Sequence, residues 1–162
     1  MRKVVFMCVL LAVTMFSGCS KSSPSVVDKF IGTWVWSQAL NDATFKGDGT
    51  HLITIKKTSE TSVSADYSYR FSGTYGGNAA TQTSDGSFGV LNVESNTLVS
   101  TNVLYNIQTV LIYQKSGSPV TLKENYSYKF STLKFEITSS NQLQITQTPD
   151  NGSPSIRVYT KQ

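Results

Sequence analysis

The chain carries one histidine, His51, and two cysteines, Cys8 and Cys19. A lone imidazole leaves no histidine pair for a metal, and no Cys/His ligand set of the usual kind can be assembled. The ten acids stand singly along the chain, and no motif brings two of them together. Acid/base attack on a glycosidic bond would need two facing carboxylates. Gly47-Asp48-Gly49 lacks the further spaced oxygens and closing Glu of a calcium loop. These residues point away from an enzyme, a bound metal and a cofactor. Binding chemistry is better represented. Trp34, Trp36, Tyr67, Tyr69, Tyr105, Tyr126 and Tyr128 recur at strand-like spacing. An indole or phenol ring offers an apolar face, and its polar tip needs a partner. His51 shares parity with Ile53 and Ile55, which puts it on an interior face or its rim. The same residues would also serve as plain core, so both roles stay open at this point.

The elements that must hold these side chains are strands. Ser and Thr number 42, Tyr and Phe 16, and helix formers seldom occur in runs. Such a mix favours pleated, half-buried surfaces. Apolar positions 26, 27, 30 and 31 predict one or two helical turns before Gly32. Strands are expected over 32–37, with Trp34 and Trp36 on one face, and over 50–57, 66–75, 87–93, 97–101 and 103–115. Further strands are expected around Tyr126–Ser131, Leu133–Thr138, Leu143–Thr146 and Ile156–Lys161. Residues 38–49, 58–65 and 76–86 read as loops or turns, with Asp48-Gly49 as a turn signal. In the long 103–115 segment, Val110 and Ile112 oppose the parity of Tyr105 and Leu111, which predicts two-faced burial or a bulge. Residues 50–72 and 109–131 echo each other at an offset of 59, with Asp66-Tyr-Ser-Tyr-Arg-Phe-Ser72 set against Asn125-Tyr-Ser-Tyr-Lys-Phe-Ser131. The echo reads either as two matched hairpins or as chance likeness between amphipathic strands.

The N-terminus reads as a targeting signal. Arg2 and Lys3 precede an apolar run from Val4 to Phe16. About 13 residues is too short for a bilayer core of ~30 Å, which needs about 20, and suits a secretory leader. The run ends in Phe16-Ser17-Gly18-Cys19, which resembles the bacterial lipobox, with Phe16 in place of the commoner Leu. The resemblance implies cleavage after residue 18, acylation of Cys19 and a lipid membrane as partner. No cysteine follows Cys19 to pair with it. The division is then leader 1–18, lipidated Cys19 with a flexible linker to 27, and one domain over 28–162. Without Arg2 and Lys3 the chain has 12 bases against 10 acids and no basic run beyond Lys56-Lys57. That excludes the electrostatic footprint of a nucleic-acid binder.

Gly32-Thr33-Trp34, after a short helical turn, resembles the Gly-x-Trp of lipocalins. Phe45-Lys-Gly-Asp-Gly-Thr50 is similar to the hairpin placed next in bacterial lipocalin-like lipoproteins, and Leu143–Thr146 and Val158–Lys161 resemble their closing strands. The resemblance implies an all-β, up-and-down antiparallel barrel of about eight strands, filled or holding one small ligand. It also implies a basic residue of the last strand over Trp34, a place for Arg157 or Lys161, with Gly32, Trp34 and Arg157 as the structural motif. Residues 38–49 and 76–86 depart from the family's minimal pattern, and the long 103–115 strand leaves a different sheet order open. The expectation is a membrane-anchored lipoprotein of the bacterial cell envelope, at the outer membrane, whose interior takes a small apolar or amphipathic ligand. The alternative is a structural or interaction lipoprotein that recognises a protein or glycan through Ser/Thr/Asn-rich loops.

Overall fold

The computed structural model describes residues 25–162, so the leader, Cys19 and the linker through Pro24 lie outside the described residues. Eight antiparallel strands close into a barrel in chain order: β1 Gly32–Asn41, β2 Phe45–Lys57, β3 Ser62–Tyr75, β4 Asn78–Glu94, β5 Thr97–Lys115, β6 Ser118–Ser139, β7 Gln142–Pro149 and β8 Ser155–Lys161. Each strand pairs with its sequence neighbours, and β1 with β8 completes the circle, so the length of β5 does not alter the sheet order.

A single 3-10 turn, Val26–Lys29, stands before β1. It is capped from both sides: the Val27 N–H donates to Ser25 Oγ at 3.1 Å, and the Ser25 N–H donates to Asp28 Oδ2 at 2.8 Å. Such reciprocal capping offsets the unpaired donors of a helix start. Lys29 donates to Asn96 and Lys57 to Asp28, which seats the turn across one end of the barrel. Val27, assigned to the linker by its sequence, is fully buried there with Phe30 and Trp34. Ile53, Ile55, Val63, Leu91, Leu98, Leu133, Phe135 and Leu143 fill the same end. Each such side chain contributes roughly 1.5–3 kcal/mol by leaving water. This end is the solid base. The β1–β2, β3–β4, β5–β6 and β7–β8 connections lie at the other end, the mouth.

The stretches expected as loops are mostly strand. β1 continues to Asn41 and β2 starts at Phe45, so 38–49 contains only the three-residue connection 42–44. The turn is made by Asp42, whose carboxylate accepts from the Thr44 and Phe45 N–H groups at 2.7 Å each. These bonds hold its carboxyl below the usual carboxylate range. Asp48-Gly49 instead lies in the ladder opposite Ser72 and Phe71. Gly47 faces Gly73, and a Cβ on either would strike the partner strand's backbone at Ser72 or Lys46. Those glycines serve close strand approach, not reversal. Likewise 76–86 is the two-residue turn Gly76-Gly77 followed by β4, and the turn expected over 58–65 ends at 61.

β5 and β6 each join two expected strands. Leu98 and Val103 are both buried although five residues apart, because Asn102 adopts φ 54 and switches the facing of β5. Val110 and Ile112 then point outward, and Ile112 is exposed. Both copies of the echo at offset 59 form hairpins, β2–β3 and β5–β6, but in different registers. Val63 pairs with Lys57, but its counterpart Leu122 pairs with Leu111 and not with Ser116. A five-residue difference reverses the facing of one strand, so Ile53 is buried while its echo Ile112 is exposed.

The wall is uneven in height. β5 has 19 residues and β6 has 22, against 8 for β7 and 7 for β8. Ser118–Lys129 of β6 pairs only with β5, and β1 meets β8 only at Trp34–Lys161 and Val35–Thr160. Above the short β7–β8 hairpin the barrel is therefore a tall, one-sided wall.

Candidate functional site

Above the base the interior opens into a cavity of about 520 Å³. Its inner wall comes from the alternate, inward-facing positions of β2, β3, β4, β5 and β6. Of the aromatic and histidine residues singled out by sequence, His51, Tyr67, Tyr69, Tyr126 and Tyr128 line it. Tyr126 and Tyr128 remain 41% and 45% exposed because they stand on the part of β6 that has no β7 beside it. The other three residues are packed around it. Trp34 is fully buried in the base, where its Nε1–H donates to the Phe30 carbonyl at 2.8 Å. Trp36 lies against His51 with ring centroids 4.5 Å apart. Tyr105 is buried, stacked on Phe88 at 4.5 Å and 5.7 Å from the Tyr67 ring.

The cation over Trp34 is Lys161, not Arg157. The Lys161 ammonium stands 5.2 Å from the Trp34 ring. Its chain passes Gly32, where an added Cβ would sit 3.1 Å from Lys161 Cε and φ is +134. Arg157, four residues earlier on the same face of β8, stands 5.2 Å over Trp36. The register explains the difference: β8 runs antiparallel to β1, and Lys161 is the residue that pairs with Trp34.

His51 is the polar centre of the wall, 8% exposed. Its Nε2 lies 3.3 Å from Gln38 Nε2 and its Nδ1 lies 2.9 Å from the Tyr67 hydroxyl. An amide nitrogen only donates, so Gln38 donates to Nε2 and the proton belongs on Nδ1, which donates to the Tyr67 oxygen. Burial, aided by the Arg157 charge, pushes the imidazole down to about 4, so it is neutral at physiological pH. Burial pushes the Tyr67 and Tyr105 phenols up, and that of Tyr159 up to about 12, so all three remain protonated donors.

Residues that sequence reading did not single out complete the wall. Ser84 bonds Thr109 at 2.9 Å and receives Gln82 Nε2 at 3.3 Å, a satisfied polar strip on β4 and β5. Gln82 and Ser84 lie within 76–86, whose small and polar residues display no apolar alternation. Tyr75 and Phe45 stand near the mouth, rings 5.1 Å apart. Tyr75 shares the parity of Tyr67 and Tyr69, so its signal was present. Glu124 accepts from the Tyr126 hydroxyl on the β6 wall. Among the described residues no three His, Cys, Asp or Glu side chains gather as a metal site. Comparisons of the chain with protein-family models, curated proteins and solved structures returned no match.

Proposed function

We propose that this protein is a lipid-anchored barrel of the bacterial outer membrane that binds one small amphipathic molecule and catalyses no reaction. The cavity carries the reading. Its volume, about 520 Å³, falls within the roughly 300–1,000 Å³ usual for small-molecule sites. Its wall alternates phenol and imidazole rings with hydrogen-bonding groups, as an amphipathic guest requires. Acylation of Cys19 is the anchor in this reading, and several chains on one residue would hold it firmly at about 0.8 kcal/mol per buried CH₂. The alternative, recognition of a protein or glycan by the loops, has less support. Three of the four mouth connections, 42–44, 76–77 and 116–117, are only two or three residues long. Native mass spectrometry on protein isolated from its own envelope tests the proposal. A stoichiometric added mass of metabolite or lipid size is expected. A bare protein mass that persists after incubation with envelope extract would refute the binding function. The mass of the N-terminal peptide tests the anchor separately: diacylglycerol on Cys19 is expected, and an unmodified thiol would refute it.

A further inference from the structure

The wall of the cavity carries charge of one sign. Of the fifteen residues that line it, Glu124 alone is an acid or a base of the Asp, Glu, Lys or Arg kind, and six are Tyr or Phe. The bases of the same strands are kept outside. Arg70 and Lys129 follow the inward-facing Tyr69 and Tyr128, so they take outward positions, where they pair with Asp85 and Asp150. Lys123 precedes Glu124 and points outward by the same alternation. Arg157 lies over Trp36 and donates to Gln147, outside the lining of the cavity. Strand register fixes the inward place of Glu124. Tyr69, Ser84, Thr109 and Glu124 stand opposite one another in turn across β3, β4, β5 and β6. Ser84 and Thr109 satisfy each other at 2.9 Å, and the Tyr126 hydroxyl donates to Glu124 Oε2. Among the described residues Glu124 enters none of the six ion pairs. It stands on the part of β6 that has no β7 beside it, open to solvent on the cavity's low side.

We propose that the ligand carries one positive charge, a protonated amine, and that Glu124 receives it beside the Tyr126 and Tyr128 rings. This rests on the cavity reading and names the class of molecule that fills it. Ammonium N–H groups donate to a carboxylate in short, charge-assisted bonds. The face of a phenol ring is the negative part of its quadrupole and attracts a cation. Tyr126 and Tyr128 follow Glu124 at alternate positions of β6, with ring centroids 6.3 Å apart and planes inclined by 31°. One carboxylate balances one ammonium. A metal ion would need further ligands, and no three His, Cys, Asp or Glu side chains gather among the described residues. A carboxylate or phosphate on the ligand would meet Glu124 with no base in the wall to balance it, which sets aside fatty acids and phospholipid headgroups. The remainder of the ligand is apolar. Toward the mouth the wall is made by Leu111, Leu122, Phe45 and Tyr75, the last two with ring centroids 5.1 Å apart.

The test is calorimetric titration of the full chain with three probes of one shape: 2-naphthylmethylammonium, 2-naphthalenemethanol and 2-naphthoate. The wild type should prefer the ammonium to the alcohol by about fivefold or more and bind naphthoate most weakly. Glu124→Gln keeps the size of the side chain and an acceptor for Tyr126. It should abolish the preference and leave the alcohol's affinity within about twofold. Glu94→Gln removes an equal charge at the base end of β4 and should preserve the preference. Tyr128→Leu should narrow the preference by removing one ring, and it serves if Glu124→Gln does not fold. Equal binding of all three probes, a preference for naphthoate, a preference that survives Glu124→Gln, or an equal loss in Glu94→Gln would overturn the amine assignment while the cavity reading stands. Failure of every probe to bind would overturn both.

Discussion

Acidification from pH 7 to pH 4 should destabilise the barrel chiefly through His51. The folded imidazole titrates near 4 instead of 6.5, first because it is buried and second because of the Arg157 charge. The titratable groups packed against it are Tyr67 and Tyr69 of β3, and Arg157 and Tyr159 of β8 stand behind them against Trp36. None of them offers a negative charge to an imidazolium at neutral pH. Between about 4 and 6.5 the unfolded chain holds a proton that the folded chain refuses, so stability rises with pH across that window and is lost as pH falls. At about 1.4 kcal/mol per pH unit, the interval amounts to roughly 3 kcal/mol, a large share of a typical 5–15 kcal/mol. Below about 4 the loss should level off. Asp28 and Asp42 are held below the usual carboxylate range by hydrogen bonds, so their contributions fade only at lower pH, outside the window. Urea unfolding of wild type and His51→Gln, followed by Trp fluorescence at pH 7, 6, 5 and 4, measures the effect. Wild type should lose about 3 kcal/mol over that range and His51→Gln well under 1 kcal/mol. Because the chain has one histidine, the assignment is direct. Equal losses in the two proteins, or an imidazole NMR titration centred near 6.5, would refute the reasoning.

Three substitutions probe other parts of the same structure. Tyr105→Phe removes a buried hydroxyl without a partner and should raise the ligand-free stability by about 1 kcal/mol in denaturant unfolding; a loss of that size would mean the hydroxyl is satisfied. Lys161→Gln removes the cation over Trp34 and should cost about 1 kcal/mol, read as an earlier urea midpoint; an unchanged midpoint would show the contact contributes nothing. Gly49→Ala and Gly73→Ala should differ. A Cβ at 49 meets the Tyr69 ring at 2.7–2.9 Å, a side chain able to swing, whereas one at 73 meets the Lys46 carbonyl and Gly47 Cα. The first should cost about 1–3 kcal/mol and the second more, with equal thermal shifts as the contrary result.

Alternation made the strands legible wherever it was strict. Tyr67, Tyr69, Phe71 and Tyr75 on β3, and Leu143 and Ile145 on β7, face inward as their parity requires. Gly32-Thr33-Trp34 and the preceding helical turn marked the base, and the structure puts Val27, Phe30 and Trp34 there at zero exposure. Reading failed where the side chains were small and polar. Asn78–Asp85 has too few apolar residues to display a period, yet it forms a full ladder with β3. Gly47, Asp48 and Gly49 imitate a turn because the residues that reverse a chain also let two strands approach closely. Facing switches at Asn102 on β5 and around Ser131 on β6 make two continuous strands read as four.

Those misread strands bear directly on the site. Counting strands predicts a barrel, but strand length decides whether the barrel is solid or hollow above its base. β2 through β6 rise well past the top of β7 and β8 only because 45–49, 78–86 and 118–125 are strand. With those stretches as loops, the interior would end near the rung where Tyr105 meets Tyr128, and Tyr69, Tyr75 and Glu124 would have no common space to face. The cavity thus follows from a mismatch of lengths around the ring, a property that no single motif carries. The aromatic packing beside it is equally non-local. Tyr67 and Tyr105 are separated by 38 residues, and their rings stand 5.7 Å apart because the consecutive order of strands brings β3 and β5 around one interior. Arg157 in particular is legible from sequence only as a cation near a tryptophan. Which tryptophan it covers depends on the register in which Lys161 pairs with Trp34, and that register leaves Arg157 over Trp36, whose own ring lies against His51.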